Sequence, residues 1–376
     1  MRISRIEAIP IRYPRDRDRA ERTAGSPTTL AAGQAMYRWS TTVPALYSTH
    51  FETALIRLET DTGLVGWGEA QAPLAPEVAC TIVDLLLRPV VEGAEFDGSR
   101  AAIEALWDSM YRTMRVRGQT GGFMLDAISG VDIALWDLAG KMAGKPVSAL
   151  LSDSPRASIP AYLSGVADAL ATAPFAACKL FHHGSVSELL ATFDAVRENR
   201  GPEMRIAVDA LWRLDLAEAQ ALTAALEERG GALWLEAPLF PELTADHIAL
   251  AHSTRTPLAL GESYRTRFEL GPYFEARALA WVQPDLGRSG ITESVRIAAC
   301  AAAAGARVAP HLSIAMGPQI AAAIHFAAAT PGCELLEFNP NVLETANAYL
   351  ASPLVMRDGA WVVPTAPGLG VEPVLR

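Results

Sequence analysis

Six charged residues recur at near-constant spacing along this chain: Asp209, Glu236, Glu262, Asp285, His311 and Glu337, at intervals of 27, 26, 23, 26 and 26 residues. Each follows a short apolar run, at residues 204–208, 232–235, 257–260, 280–282, 307–309 and 334–336. Runs of that length read as strands buried on both faces, so each charged residue falls where its strand stops. The interval accommodates one strand, one helix and two loops. That repeat predicts a (β/α) barrel, in which all such strand ends face one rim and share a pocket.

Asp209, Glu236 and Glu262, on three successive strand ends, form an all-oxygen set that suits a hard cation such as Mg²⁺. Without a cation, three crowded carboxylates repel strongly. His311 closes the seventh strand as Val308-Ala309-Pro310-His311, and Asp285 closes the sixth as Val282-Gln283-Pro284-Asp285. An Asp on one ring nitrogen fixes the tautomer and raises the basicity of the other, as a general base requires. Lys179 ends the second strand in Ala177-Cys178-Lys179-Leu180-Phe181. At that rim it serves either as a base or as an electrostatic partner to an anionic substrate. Glu337, if protonated, would donate to a developing oxyanion. His50 and Tyr47 reach the rim if the long N-terminal loop folds over it. With Phe181, His183 and Leu211 they are the candidates for substrate contact. His182 and His183 otherwise read as loop residues, and His247, His252 and His325 as structural residues of helices. Gly63, Gly66 and Gly68 mark a hairpin, because no helix opens there to bind a dinucleotide.

A barrel takes about 250 residues, leaving roughly 125 of the 376 for a smaller unit. The expected division is an α+β unit over residues 1–125, a (β/α) barrel over 126–348, and a segment over 349–376 returning to the first unit. In the first unit, residues 3–11 alternate, and residues 53–59 and 64–69 form a hairpin around Asp61-Thr62-Gly63. The stretch 14–50 has no clear period and is long enough to be a functional lid. Helices are predicted over 76–91, 100–115 and 125–143, the last stopped by Gly144 and Pro146. The barrel begins with strands at 159–163 and 176–180. Later helices run from Asp215 to 230 and from Thr292, as N-cap, to Gly305. After Phe338 helical periodicity is lost and the sequence becomes Pro-rich.

Hydrophobic residues make up 50% of the chain and charged residues 20%, enough for a large core and too apolar for disorder. A net charge of −10 argues against nucleic acid or an anionic membrane as partner. The cluster Arg12, Arg15, Arg17, Arg19 and Arg22 is interleaved with Asp16, Asp18 and Glu21 and reads as a solvated loop. The sequence has neither an apolar stretch of about 18 residues nor a signal-peptide core, and a cytoplasmic location is expected. Cys80, Cys178, Cys300 and Cys333 are scattered through apolar contexts and read as core residues.

Taken together, the chain resembles the enolase superfamily, mandelate racemase subgroup. The resemblance rests on Arg2-Ile3-Ser4-Arg5-Ile6-Glu7, on Thr60-Asp61-Thr62-Gly63-Leu64-Val65-Gly66-Trp67-Gly68-Glu69, on Ala127-Ile128-Ser129-Gly130-Val131-Asp132-Ile133-Ala134-Leu135-Trp136-Asp137, and on the strand-end set. It implies an α+β capping domain over residues 1–125, a (β/α)₇β modified TIM barrel over 126–348, Mg²⁺ on Asp209, Glu236 and Glu262, an Asp285–His311 base, and Glu337 as stabiliser of an enolate. Phe181 stands where members with a Lys-x-Lys pair carry the second Lys, and Leu211 where Asn or His is usual. The implied reaction is proton abstraction next to the carboxylate of a small-molecule substrate. Syn dehydration of a sugar acid or small hydroxy-acid to a 2-keto acid leads. A racemase, epimerase or lactone cycloisomerase is the alternative, ahead of a non-catalytic binding protein. A homo-oligomer is expected.

Overall fold

The computed structural model describes residues 1–14, 36–40, 45–165 and 174–375. Most of the expected lid, and Arg15 to Arg22 of the basic cluster, lie outside the described residues. Strands β1 (Ile3–Pro14), β4 (His50–Thr60) and β5 (Val65–Ala70) form an antiparallel sheet in the order β1-β4-β5. Between them, β2 (Tyr37–Ser40) and β3 (Ala45–Ser48) make a separate hairpin. The β4–β5 turn falls at Asp61-Thr62-Gly63, as expected, with Gly63 at φ +82°.

One face of this sheet lies on the helix Gly122–Ala143, whose residues from Met124 to Gly140 are all buried. Contact is close because glycines line it. A Cβ on Gly68 would overlap the Gly130 carbonyl, and one on Gly130 would press into Ile56 and Ala70. The helix ends at Gly144 in the left-handed conformation, φ +64°. Its other side meets the helix Leu286–Ala304, where Asp132 accepts from the Thr292 amide (2.9 Å) and hydroxyl, and Trp136 Nε1 donates to Thr292 Oγ1 (3.0 Å). Thr292 is therefore not the predicted N-cap. That helix begins at Leu286 with Asp285 as its cap, breaks at Gly290 (φ +67°), and restarts with Asp132 of the neighbouring helix capping it.

Eight strands make the barrel: β6 (Ser158–Ser164), β7 (Ala177–Phe181), β8 (Arg205–Asp209), β9 (Leu235–Glu236), β10 (Leu258–Leu260), β11 (Trp281–Val282), β12 (Arg307–Val308) and β13 (Leu336–Phe338). Neighbours pair in parallel from β6 to β12, β13 pairs back onto β6, and a bridge from Val308 to Cys333 closes the last gap. The interior layer takes one residue from each strand or its edge: Tyr162, Ala177, Ala207, Trp234, Ala259, Trp281, Ala309 and Leu335. Large rings and alanines fill the space together, with Tyr162 edge-on to Trp234 at 5.2 Å and Trp234 against Trp281 at 5.1 Å. This is a packed floor, not a pore.

Helices follow the strands, including Leu216–Glu228 with a capping box at Asp215. A helix also spans Pro340–Asn347, where the sequence reading expected none; Asn339 caps it through the Asn341 amide (3.0 Å) and Pro340 sits in its first turn. The tail forms β14 (Met356–Arg357) and β15 (Ala360–Val362), and β15 adds antiparallel to β6. It then reaches the Gly122–Ala143 helix, where Asp137 accepts from the Leu369 amide (2.7 Å). Cys80, Cys178 and Cys333 are buried, Cys300 is partly exposed, and all four are free. Among the described residues no helix is long and apolar enough to cross a membrane.

Candidate active site

Side chains alternate along a strand, so the residue two places beyond each floor residue enters the layer above it. Lys179, Asp209, Glu236, Gln283, His311 and Glu337 follow Ala177, Ala207, Trp234, Trp281, Ala309 and Leu335 by that step. Glu262 and Asp285 sit just beyond β10 and β11. The structure thus brings the six periodic residues and Lys179 into one buried cluster.

Lys179 is its hub. The ammonium contacts Glu236 Oε1 at 2.7 Å, Glu337 Oε1 at 2.9 Å and Asp209 Oδ2 at 3.5 Å, between the rings of Tyr162 and Phe181. Burial works against its charge, but Glu236 and Glu337 outweigh that and raise its pKa well above the usual lysine range. His311 gives Nδ1 to Asp285 Oδ2 (2.8 Å), while Nε2 lies 2.6 Å from Glu262 Oε2. Burial alone would lower its pKa, yet Glu262 and Glu337 raise it. For Glu262, burial is likewise overcome, by His311 and Lys179, and its carboxyl is held at about 2.

Glu337 meets donors on both carboxylate oxygens. It accepts from Lys179, from the Tyr162 hydroxyl (3.1 Å) and from the Leu312 amide (3.1 Å). Burial raises its pKa, but Lys179 and His311 prevail and hold it low.

The donor set suits a hard dication. Burial, then the charges of Glu236 and Glu262, hold Asp209 well above the ordinary carboxylate range, and burial also raises Glu236 against the opposing charge of Lys179. Such crowding is what a divalent ion relieves. Among the described residues no three acidic, His or Cys groups close around one point. Glu236 is engaged by Lys179, Trp234 Nε1 (3.0 Å) and Gln283 Nε2 (2.7 Å), and Glu262 by His311. A cation held by Glu262 would draw that carboxylate from His311 and leave Nε2 open.

Backbone strain accompanies the candidate ligands. Leu211 and Trp212, just past Asp209, have φ of +55° and +54°, and Ala237, just past Glu236, has +44°. Two hydrogen bonds hold the turns: the Leu211 amide to Asp209 Oδ1 (2.9 Å) and the Trp212 amide to the Ala237 carbonyl (2.7 Å).

Of the substrate-contact candidates, Phe181 ends β7 and stacks on His183 at 5.5 Å, and Leu211 follows β8. Tyr47 lies opposite Arg38 in the β2–β3 hairpin, and His50 opens β4 opposite Pro14. His325 bridges the Ser148 amide and the Leu369 carbonyl, a structural link. The sequence reading did not single out Tyr162, Trp234, Gln283 or Gln319. For Trp234 and Gln283 the signal was present, since each lies two residues before a site carboxylate.

Comparison with known proteins agrees with this architecture. Residues 39–152 match the family described as mandelate racemase / muconate lactonizing enzyme, N-terminal domain, and residues 162–375 match the one described as enolase C-terminal domain-like. A D-galactarolactone cycloisomerase from Agrobacterium fabrum is 33% identical over 343 residues, 85% of this chain and 88% of that protein. A D-galactonate dehydratase from Verminephrobacter eiseniae is 32% identical over 346 residues, 84% and 87% of the two chains. The crystal structure of an enolase superfamily member from Agrobacterium tumefaciens superposes with a TM-score of 0.90 at 31% identity, covering 99% of this chain and 96% of that one. A racemase from Streptomyces coelicolor with bound magnesium gives 0.80 at 25% identity, covering 99% and 97%.

Proposed function

Because the chain belongs to the enolase superfamily, in its mandelate racemase subgroup, we propose that it removes the proton α to the carboxylate of an acid sugar and expels the β-hydroxyl as water. The product is an enol that tautomerises to a 2-keto acid. The observation that carries this reading is the division of labour between the two basic side chains. Lys179 is locked among three carboxylates, whereas His311 holds its Nδ1 against Asp285 and keeps Nε2 for exchange of partners.

Asp209, Glu236 and Glu262 would hold Mg²⁺, which when bound supplies Lewis acidity toward the substrate carboxylate. His311 Nε2 takes the α-proton and returns it to the departing hydroxyl on the same face, so elimination is syn. Asp285 fixes the ring tautomer and Lys179 remains a fixed positive charge facing the negative charge that develops. Phe181 and Leu211 give the opposite face no second base. Those two residues, with His183, Tyr47 and His50, would shape the substrate pocket.

A lactone cycloisomerase is the second reading. The cycloisomerase relative favours it, and it too runs with one base, the leaving group being a ring oxygen in place of hydroxide. The test is a library of acid sugars and their lactones incubated with Mg²⁺ in D₂O and read by mass spectrometry. Loss of water is expected. His311→Asn should reduce it at least about 10²–10⁴-fold. Deuterium uptake without loss of water, at Cβ of an opened lactone or at Cα of an epimer, would replace dehydration by isomerisation, and no change in any acid sugar or lactone would overturn both.

A further inference from the structure

The partner of His311 is itself held from outside the barrel. Asp285 Oδ1 accepts from the Gly287 amide (2.8 Å) and from Gln319 Nε2 (2.9 Å), leaving Oδ2 for the imidazole. A carboxylate offers only acceptors, so the Gln319 carboxamide must turn its NH₂ toward Asp285. Gln319 is 1% exposed and opens the helix Pro318–Ala329, which follows the strand bearing His311. Three amides around that helix start, those of Met316, Gly317 and Gln319, donate to the carboxylate of Glu69 at 2.6, 3.1 and 3.1 Å.

Glu69 belongs to β5 of the first sheet, is fully buried, and also accepts from the Thr53 hydroxyl (2.9 Å). The same region grips Gly287, whose carbonyl accepts from the Gln71 amide (2.8 Å) and the Ser129 hydroxyl. There is no slack between the two arms, because a Cβ on Gly287 would overlap the Gln319 carboxamide.

We propose that Glu69 and Gln319 are positioning residues for His311: the first-domain sheet sets the start of the Pro318–Ala329 helix, Gln319 then aims Asp285, and Asp285 aims the ring. This rests on the reading of Asp285 and His311 as the base. Neither Glu69 nor Gln319 touches substrate in this scheme, so their loss changes kcat and leaves KM in place. The cap is thereby part of the base's support as well as a cover over the rim.

The test is Gln319→Leu in the full chain with Mg²⁺, followed by Gly287→Ala and Glu69→Gln. The first readout needs no substrate: the Nδ1–H signal of His311 in a ¹H–¹⁵N spectrum of histidine-labelled protein, assigned by its loss in His311→Asn. It should shift or broaden in Gln319→Leu while the protein still melts cooperatively. The second is turnover, where kcat should fall about 10–100-fold, the usual effect of removing an outer hydrogen bond to a catalytic group, at unchanged KM. If no acid sugar is turned over by the parent protein while the ring signal still moves, the positioning network stands and the proton-abstraction reading fails. An unmoved ring signal with unchanged kcat overturns the proposal, as does a kcat loss that only tracks the fraction unfolded.

Discussion

Replacing Lys179 by Met removes the cation that holds Glu236, Glu337 and Asp209 together at 2.7, 2.9 and 3.5 Å, in a place where its side chain is 1% exposed. Methionine fits the space between Tyr162 and Phe181 but returns no charge. Deleting one partner of a buried ionic cluster costs about 3–5 kcal/mol, because the remaining charges stay desolvated. At about 2 °C per kcal/mol for a protein of this size, the metal-free variant should melt about 6–10 °C below the parent. Mg²⁺ should recover much of that, since ligand at about 100 times Kd adds about 2.7 kcal/mol. Lys179 also competes with the ion for the same oxygens, so the Mg²⁺-induced shift should be larger in the variant than in the parent. Calorimetric melts in EDTA and across a Mg²⁺ titration read both quantities. Equal melting of the two proteins in EDTA, or a smaller Mg²⁺ shift in the variant, would refute the reasoning.

Glu236→Gln should weaken Mg²⁺ or Mn²⁺ by more than the roughly 10–100-fold expected for a supporting group, and unchanged affinity by titration calorimetry would remove Glu236 from the ligand set. Gly68→Ala forces a methyl into the Gly130 carbonyl, which cannot yield, so chemical denaturation should register a loss of about 3 kcal/mol or more. Burial raises the Asp132 carboxyl to about 6, against Thr292 and Ile291, whose donors lower it. The fold therefore favours its protonated form, and its stabilisation is complete below the unfolded value of 3.8 and fades as pH rises through about 6. Relative to Asp132→Asn, the parent's advantage in melting temperature should be greatest near pH 4 and shrink toward about pH 7. An advantage that grows with pH would contradict that sign.

The barrel strands were legible because burial on both faces leaves uninterrupted apolar runs, and a charge such as Asp209 or Glu236 ends each one. The hairpin and the Gly122–Ala143 helix were legible for local reasons, a turn sequence in one case and Gly144 in the other. The errors lie where a local rule was applied without its tertiary partner. Thr292 looks like a cap, yet Asp132 of another helix does the capping. Proline-rich sequence after Phe338 suggested irregular chain, although Asn339-Pro340 is itself a helix start. Within the site, residue types and spacing located the charges but not their pairing. Nothing in one chain read alone tells that Lys179 binds three carboxylates, or that Glu69 reaches a helix 247 to 250 residues away.

The left-handed turns after β8 and β9 have an implication for laboratory evolution. Leu211, Trp212 and Ala237 each hold a conformation that glycine adopts without penalty and that costs other residues about 1 kcal/mol or more. A selection that rewards heat resistance alone will accept glycine at these three positions. The same exchange slackens the chain immediately behind Asp209 and Glu236, so a selection that rewards turnover will reject it. Libraries drawn from one parent and screened by the two criteria should therefore separate first at positions 211, 212 and 237.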